Sequence, residues 1–111
     1  MNRRHVRVRS AFALSAVLLF SSIPARAQND AAGLFKSKCA ACHGADGDGS
    51  TSIGKTMKVR DLRSADVQKQ TDSQLSDIIT AGKSPMPAYK DKLTGDEIKS
   101  VVGYLRGLAK K

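Results

Sequence analysis

The sequence has few of the large aromatic side chains that usually fill a small hydrophobic core. It has no tryptophan, two tyrosines and three phenylalanines. Phe35 is the one phenylalanine beyond residue 27. A domain of under about 100 residues buries only part of its surface, and its core alone gives marginal stability. This scarcity predicts that something other than side chains helps to fill the interior.

The sequence also lacks an apolar run long enough to cross a membrane. Residues 11–23 are apolar, but a transmembrane helix needs roughly 20 such residues. Four arginines without an acid precede this run, and Ala-Arg-Ala follows at residues 25–27. A basic start, a short apolar middle and small residues at the end are typical of a secretory signal peptide. We therefore expect residues 1–27 to be removed, leaving residues 28–111 as a single domain.

Much of the chain's positive charge belongs to this leader. The formal net charge is +9, and five of the 19 basic residues lie in residues 1–27. Residues 28–111 keep 19 − 5 = 14 basic and 10 acidic residues, a net charge of +4. Because the excess is modest, it does not favour a nucleic-acid-binding protein.

Cysteine and histidine are scarce, and the three that remain after the leader lie together in CAACH, residues 39–43. A disulfide there would close a two-residue loop, which contributes little to stability. A structural zinc site needs four ligands, and a thioredoxin-like pair needs a surrounding βαβ pattern. Neither condition is met. Aspartates 46 and 48 resemble part of a calcium loop, but the required glutamate is missing.

The C-x-x-C-H pattern is instead the signature of covalent haem attachment. On a helix with about 100° per residue, Cys39, Cys42 and His43 lie within an arc of about 100°. Two thiols on one face can form thioethers with two vinyl groups along one porphyrin edge, and the histidine can reach the iron. We therefore predict one covalent haem c bound by Cys39 and Cys42, with His43 as an iron ligand.

The sequence resembles a class I c-type cytochrome, close to the short soluble bacterial forms, over residues 31–109. The three segments that carry the resemblance are LFKSKCAACHGADGDG, KSPMPAY and LTGDEIKSVVGYLRGL. The resemblance implies an all-α fold of three to four helices around one haem, with His43 and Met86 as axial iron ligands. It also implies electron transfer as the activity. The family often has a proline after the motif whose carbonyl orients the histidine. This chain has none there, so we expect a carbonyl in residues 51–53 to take that role.

Two methionines compete for the second axial position that the resemblance implies. Met86 lies between Pro85 and Pro87, which restrict the backbone to a stiff, extended segment. Met57 has no such support and is typical of a pocket-filling thioether. We therefore predict Met86 as the ligand, and Met57, Val59 and Leu62 as pocket-lining residues.

Helical patterns account for most of the remaining sequence. Asn29 or Asp30 can cap a first helix that runs into the motif, and a short helix is expected within residues 64–70. Thr71 with Gln74 predicts a capping box for a helix that ends at Gly82. No segment alternates over the length of a strand, so the predicted fold is all-α.

The C-terminal helix has the clearest pattern. Thr94 and Glu97 predict a second capping box, and the apolar residues that follow have helical spacing. We expect Tyr104 to pack against the first helix near Phe35. We also expect the small residues Ala31 and Gly103 to let these two helices cross closely.

These predictions favour an electron carrier that is not an enzyme. A His/Met pair fills both axial positions of the iron, and residues 28–111 offer no second histidine or carboxylate array for catalysis. We expect a monomer in the periplasm, with no stable membrane insertion and with redox proteins as donor and acceptor. Lys83, Lys90 and Lys92 flank the methionine and favour partners with acidic surfaces. A haem enzyme or sensor with a labile sixth position, or a subunit docked on a larger redox complex, remains an alternative.

Overall fold

A computed structural model describes residues 31–111, so the predicted leader and the predicted caps Asn29 and Asp30 lie outside the described residues. The described residues form six helices: α1 Ala31–Lys38, α2 Ala40–His43, α3 Ser52–Met57, α4 Ala65–Gln68, α5 Asp72–Ala81 and α6 Gly95–Leu108. Within this range there is no strand beyond an isolated bridge between Lys83 and Met86. The all-α prediction is confirmed. Residues 31–111 contain six helices where three to four were expected, because Cys39 separates α2 from α1 and because the short α3 was not predicted.

The two predicted capping boxes are both present. The Thr71 side chain accepts a hydrogen bond from the Gln74 amide, and the Gln74 side chain accepts one from the Thr71 amide. Thr94 and Glu97 make the same reciprocal pair at the start of α6. Each pair satisfies two backbone N–H groups that would otherwise have no hydrogen-bond partner at the start of a helix. Gly82 follows the last residue of α5, as expected.

The hydrophobic core lies where α1, α5 and α6 meet. Its buried members are Phe35, Val67, Leu75, Ile79, Leu93, Ile98, Val101, Val102, Leu105 and Leu108. Helix α6 contributes five of these residues, spaced so that one face of the helix is apolar. The rings of Phe35 and Tyr104 lie 5.2 Å apart at 43°, which confirms the predicted contact. This core lies to one side of the cavity described below, and Val67 and Leu75 belong to both.

The expected role of Gly103 is wrong. A Cβ atom placed on Gly103 meets nothing within 4 Å, and the residue is exposed. It therefore lies on the outer face of α6, and the α1–α6 contact is made by the larger apolar side chains. No helix of the described residues is long and apolar enough to cross a membrane.

The short helices begin at polar caps. Ser64 caps α4 by accepting a hydrogen bond from the Val67 amide, which agrees with the short helix expected there. Thr51 caps α3 by accepting one from the Gly54 amide. Sequence reasoning missed α3, because a six-residue helix with an internal glycine shows neither good propensity nor a clear apolar face. Both short helices lie next to the cavity that contains the predicted site.

Candidate functional site

The predicted site residues meet at one cavity of about 310 Å³. Cys39, Cys42 and His43 contribute to one part of its lining, and Met86 contributes from a distant part of the chain. Apolar side chains supply much of the rest: Met57, Val59, Leu62, Val67, Leu75 and Ile78. The predicted lining by Met57, Val59 and Leu62 is therefore confirmed. A concave, mainly apolar cavity with a few convergent polar groups is typical of a cofactor site.

The CAACH residues belong to a nearly continuous helical path. The Cys39 amide donates to the Phe35 carbonyl at 2.9 Å, and the His43 amide donates to the Cys39 carbonyl at 2.9 Å. Cys39 itself departs from helical geometry, with φ −120° and ψ −35°. Helical bonding on both sides of this distortion places both thiols and the imidazole at the cavity, as the spacing predicted.

Thr51 braces this short helix from across the following loop. Its hydroxyl lies 2.9 Å from the Ala41 carbonyl oxygen and 3.1 Å from that of Cys42, while its oxygen also caps α3. One side chain therefore connects the exposed end of α2 to the start of α3. We call residues 39–54, from the first cysteine to the first turn of α3, the motif segment.

Gly54 lets α3 approach the motif helix at backbone distance. A Cβ atom placed there would collide with the carbonyl oxygen of Cys42 and lie 2.5 Å from that of Gly49. These are backbone atoms, so no side-chain movement can relieve the overlap. The motif segment therefore requires glycine at position 54.

His43 is a half-buried, neutral ligand candidate. Burial lowers the pKa of its imidazole, which favours the uncharged form that binds metals. Its Nδ1 atom is buried without a hydrogen-bond partner, so the expected carbonyl from residues 51–53 is not found there. The Thr51 carbonyl instead accepts from the Lys55 amide, and the Ser52 carbonyl accepts from the Thr56 hydroxyl. Two of the three candidate carbonyls are therefore already hydrogen-bonded to residues of α3, a helix that the sequence did not predict.

The two cysteines are free thiols that lie partly buried at the cavity. Burial, together with the nearby Cys42, raises the pKa of Cys39 to about 11. Before haem is attached, Cys39 is therefore protonated at neutral pH, and neither sulfur is in a disulfide. Thiols held side by side on one wall fit a group that forms two thioether bonds along one edge.

Met86 lies in a tight turn between α5 and α6, whereas His43 lies on a helix. The Met86 amide donates to the Lys83 carbonyl at 2.8 Å, and the Lys83 amide donates to the Met86 carbonyl at 3.1 Å. The turn folds back over Gly82, whose φ is +74° and where a Cβ would lie 2.7 Å from the Ala88 amide nitrogen. We call residues 82–89 the methionine segment. Met86 is partly buried against the core, while most of its neighbours in the segment are exposed.

Tyr89 ties the methionine segment to the end of α1. Its hydroxyl donates to the Lys38 carbonyl at 2.8 Å, and its amide donates to the Ile79 carbonyl at 3.0 Å. Burial is the largest cause of its raised pKa, so the phenol keeps the proton that it donates. Lys38 immediately precedes Cys39, and this hydrogen bond therefore joins the two opposite sides of the cavity.

The two methionines differ in their surroundings. Both line the cavity, but Met57 is 46% exposed on the outer side of α3, next to the equally exposed Ile53. Met86 packs against the buried core instead. The prediction of Met57 as a pocket-lining side chain holds, although it fills less of the interior than a buried thioether would.

The charged side chains at the cavity are all cationic. Lys38, Lys58, Arg60 and Lys83 contribute to its lining, and no carboxylate does so among the described residues. Lys90 and Lys92 lie outside this lining, and the Lys92 ammonium lies 5.3 Å from the centre of the Tyr89 ring. A positive potential at the cavity suits anionic groups on a cofactor or on a protein partner.

The donor set fits an iron porphyrin better than a bare metal ion. Within residues 31–111, no group of three or more His, Cys, Asp or Glu side chains could hold a metal ion. An imidazole and a thioether on different walls are a known pair of axial ligands for haem iron. The apolar lining and the paired thiols fit the macrocycle and its covalent attachment.

Sequence reasoning missed several residues that build this site. Thr51 and Gly54 had a local signal, a threonine three residues before a glycine in a polar loop, but that pattern is weak. The cavity-lining Gln70, and Arg106 at a distance from it, had no signal, because their contacts join segments more than 30 residues apart.

Comparisons with known proteins agree with this geometry. Residues 26–105 match the family described as cytochrome c oxidase, cbb3-type, subunit III. Cytochrome c6 of Leptolyngbya boryana is 40% identical over 78 residues, which cover 70% of this chain and 88% of that protein. Cytochrome c6 of Bryopsis maxima is 42% identical over 79 residues, covering 67% and 83% of the two chains.

A solved structure has the same fold. The KustC0563 c-type cytochrome superposes with a TM-score of 0.66 and is 33% identical, covering 71% of this chain and 96% of that chain. The matched family, the relatives and the fold all agree with the CAACH motif at the cavity. The chain belongs to the class I c-type cytochromes, and its cofactor is covalently bound haem c with its iron.

Proposed function

We propose that this protein is a single-electron carrier whose haem is bound through Cys39 and Cys42 and whose iron is held between His43 and Met86. The observation that carries the proposal is the convergence of these four residues on one apolar cavity. Haem c supplies a one-electron couple between ferric and ferrous iron, and a His/Met pair raises its potential relative to harder ligands. The similarity to proteins named cytochrome c6 supports the same role.

The chain's own residues hold this centre rigid. The Thr51 hydroxyl and the close contact at Gly54 fix the helix that carries His43. The mutual hydrogen bonds of Lys83 and Met86 fix the opposing thioether. Because neither axial position is left for a substrate, the protein acts as a carrier and is not an enzyme. A rigid ligand set also limits the rearrangement that accompanies each electron transfer.

The location follows from the leader. Residues 1–27 act as a secretory signal that is removed after Ala27, so the mature protein is a soluble periplasmic domain that starts at Gln28. Mass spectrometry of the exported protein tests this proposal. An intact leader, or a start well inside the domain, would contradict it.

The partners are redox proteins with acidic docking surfaces, and the carrier meets them as a monomer. The four cations at the cavity and the net charge of +4 on residues 28–111 support this. Lys83→Gln should slow electron transfer to an acidic partner at low salt, and the difference should shrink as salt rises. Lys99→Gln removes one charge from the exposed face of α6 and should have a smaller effect. Equal effects would mean that the cations at the cavity do not steer docking.

The axial ligands are tested by a pair of methionine variants. Met86→Ala should keep the haem covalently bound but remove the absorption band that arises from methionine sulfur on ferric iron. It should also lower the reduction potential and let added ligands bind the iron. Met57→Ala should leave the band in place, and its cost in stability should fall below the about 2–5 kcal/mol of a fully buried methionine, because Met57 is 46% exposed.

The opposite pattern would overturn the ligand assignment. Loss of the band in Met57→Ala with its retention in Met86→Ala would make Met57 the ligand. If the wild-type protein already lacks the band, the sixth position is open or exchangeable, and a haem enzyme or sensor becomes the better proposal. Attachment is tested separately: Cys39→Ala combined with Cys42→Ala should release the haem under denaturing conditions.

A second candidate function is a subunit docked on a larger redox complex. The observation in its favour is that the matched family is described as an oxidase subunit. Size-exclusion chromatography of the protein extracted gently from its native source distinguishes the two. A monomeric elution volume supports the free carrier, and co-elution with a membrane complex supports the subunit.

A further inference from the structure

One wall of the cavity is fastened to α6 by polar contacts instead of by packing alone. Leu62, Val67 and Gln70 all line the cavity, and we call these three residues the 62–70 wall. Gln70 lies between α4 and α5, outside either helix, and its amide donates only a local bond to the Val67 carbonyl at 3.1 Å. A short linker of this kind needs a further contact to hold its position.

Arg106 of α6 supplies that contact. Its guanidinium donates to the Gln70 carbonyl, to the Gln68 carbonyl at 2.8 Å and to the Gln68 side-chain oxygen at 3.2 Å. It also lies 2.9 Å from Asp72. The Asp72 side chain is 76% exposed, so this ion pair is largely screened by solvent. The bonds to the partly buried carbonyls are the more important ones, because a partly buried carbonyl that is left without a partner costs free energy.

Gln68 carries the connection to the other end of the wall. Its side-chain nitrogen donates to the Leu62 carbonyl at 2.7 Å and to the Leu105 carbonyl at 3.3 Å. The Leu62 amide in turn donates to the Gly47 carbonyl of the motif segment at 2.7 Å. A continuous hydrogen-bonded path therefore runs from Arg106 through Gln68 to Leu62.

We propose that Arg106 is a positioning residue that sets the reduction potential of the haem by holding the 62–70 wall closed. This inference rests on the proposed function, in which the cavity holds the haem. The planar guanidinium holds its N–H groups in a rigid fork that reaches acceptors on separate residues, whereas an ammonium is a compact group on a flexible stem. When the wall is loosened, water reaches the cavity, and water favours the more highly charged ferric state. The potential should then fall.

The test compares two variants of the holoprotein. Arg106→Lys keeps the positive charge but loses the forked set of hydrogen bonds. Lys99→Gln removes a charge from the exposed face of the same helix and leaves the wall intact. We expect Arg106→Lys to lower the reduction potential more than Lys99→Gln does. We also expect hydrogen exchange of the backbone amides in residues 68–72 to become faster by on the order of tenfold.

A second variant keeps the proposal testable if Arg106→Lys folds poorly. Gln68→Met retains the Arg106–Gln70 contact and breaks the link to Leu62, so it should lower the potential by a smaller amount. A loss of stability without a change of potential in both variants would overturn the proposal. So would a larger shift in Lys99→Gln. Failure of the proposed function would appear differently, as a wild-type protein without the methionine–iron band.

Discussion

The motif segment and the methionine segment hold the two sides of the same cavity by different means. The motif segment is fixed by backbone atoms packed directly on backbone atoms, at Gly54 against Cys42 and Gly49. The methionine segment is a small turn in which the residues around Met86 are all exposed: Lys83, Ser84, Pro85 and Pro87. Tyr89 ties it down through hydrogen bonds to the Lys38 and Ile79 carbonyls. The motif segment is therefore packed into the helical fold, whereas the methionine segment is an exposed turn held to the fold by a few hydrogen bonds.

We therefore expect the motif segment to govern haem attachment and stability, and the methionine segment to govern ligation of the iron. A displacement of the backbone in the motif segment should cost more stability than one in the methionine segment, since the motif segment continues directly from α1 and includes the first turn of α3. A change in the methionine segment should alter ligand exchange at the iron while most of the fold survives. The following four variants test the distinction, from the largest expected effect to the smallest.

Gly54→Ala should cause the largest loss. The new Cβ would overlap the Cys42 carbonyl and come within 2.5 Å of the Gly49 carbonyl, so the motif segment must open. We expect a loss of about 3 kcal/mol in the free energy of unfolding, measured by denaturant titration of the holoprotein. Gly103→Ala is the matched control. Its Cβ meets nothing within 4 Å, so it should be neutral or stabilise α6 by up to about 1 kcal/mol.

Gly82→Ala should act on the other side of the cavity. The positive φ of +74° and the overlap with Met86 and Ala88 backbone atoms force the methionine segment to move. We expect a loss of about 1–3 kcal/mol, a weaker methionine–iron band and tighter binding of added imidazole. If imidazole affinity is unchanged while stability falls as far as in Gly54→Ala, the two segments are not different in kind.

Tyr89→Phe should have a smaller effect of the same type. It removes the hydroxyl that donates to the Lys38 carbonyl and keeps the ring, at an expected cost of about 0.5–1.5 kcal/mol. Imidazole affinity should rise, and covalent haem content should not change. Tyr104→Phe is the control, because it preserves the ring contact with Phe35. An equal rise of imidazole affinity in both variants would show that the Tyr89 hydroxyl does not hold the methionine segment in place.

Asp48→Asn should have the smallest effect on stability, and that effect should depend on pH. Hydrogen bonds from the Ser50 amide and hydroxyl lower the pKa of Asp48 in the folded state. A lowered folded-state pKa stabilises the protein at pH values above the ordinary carboxylate range, and this contribution is lost as pH falls through the folded-state pKa. The variant keeps an acceptor oxygen but cannot titrate. The Tm difference between the two proteins should therefore shrink below about pH 4, and a constant difference down to pH 2 would contradict the assignment.

The sequence predicted the parts of the fold that depend on local patterns. Both capping boxes, the end of α5 at Gly82 and the apolar face of α6 follow from residues within one or two helical turns. CAACH predicted the cofactor for the same reason, because its chemistry is contained in five consecutive residues. The fold class and the cofactor are confirmed, and the ligands and the leader remain predictions.

The parts that sequence reasoning missed depend on contacts between distant segments. Gly103 was expected to lie at a helix crossing, but its position on the outer face of α6 follows from which apolar residues pack inward. Helix α3 has too few residues to show a period, and its cap Thr51 becomes recognisable only beside Ala41 and Cys42. Its formation also explains why the carbonyl expected for His43 is not found.

The contact between α1 and α6 also has a consequence for the order of assembly. Phe35 lies four residues before Cys39, and its aromatic partner Tyr104 is in the final helix of the described residues. A chain that emerges from its N-terminus exposes both thiols well before Tyr104 and Arg106 are available to close the domain. During that interval the thiols are accessible for thioether formation, and the packing of α6 against α1 ends it.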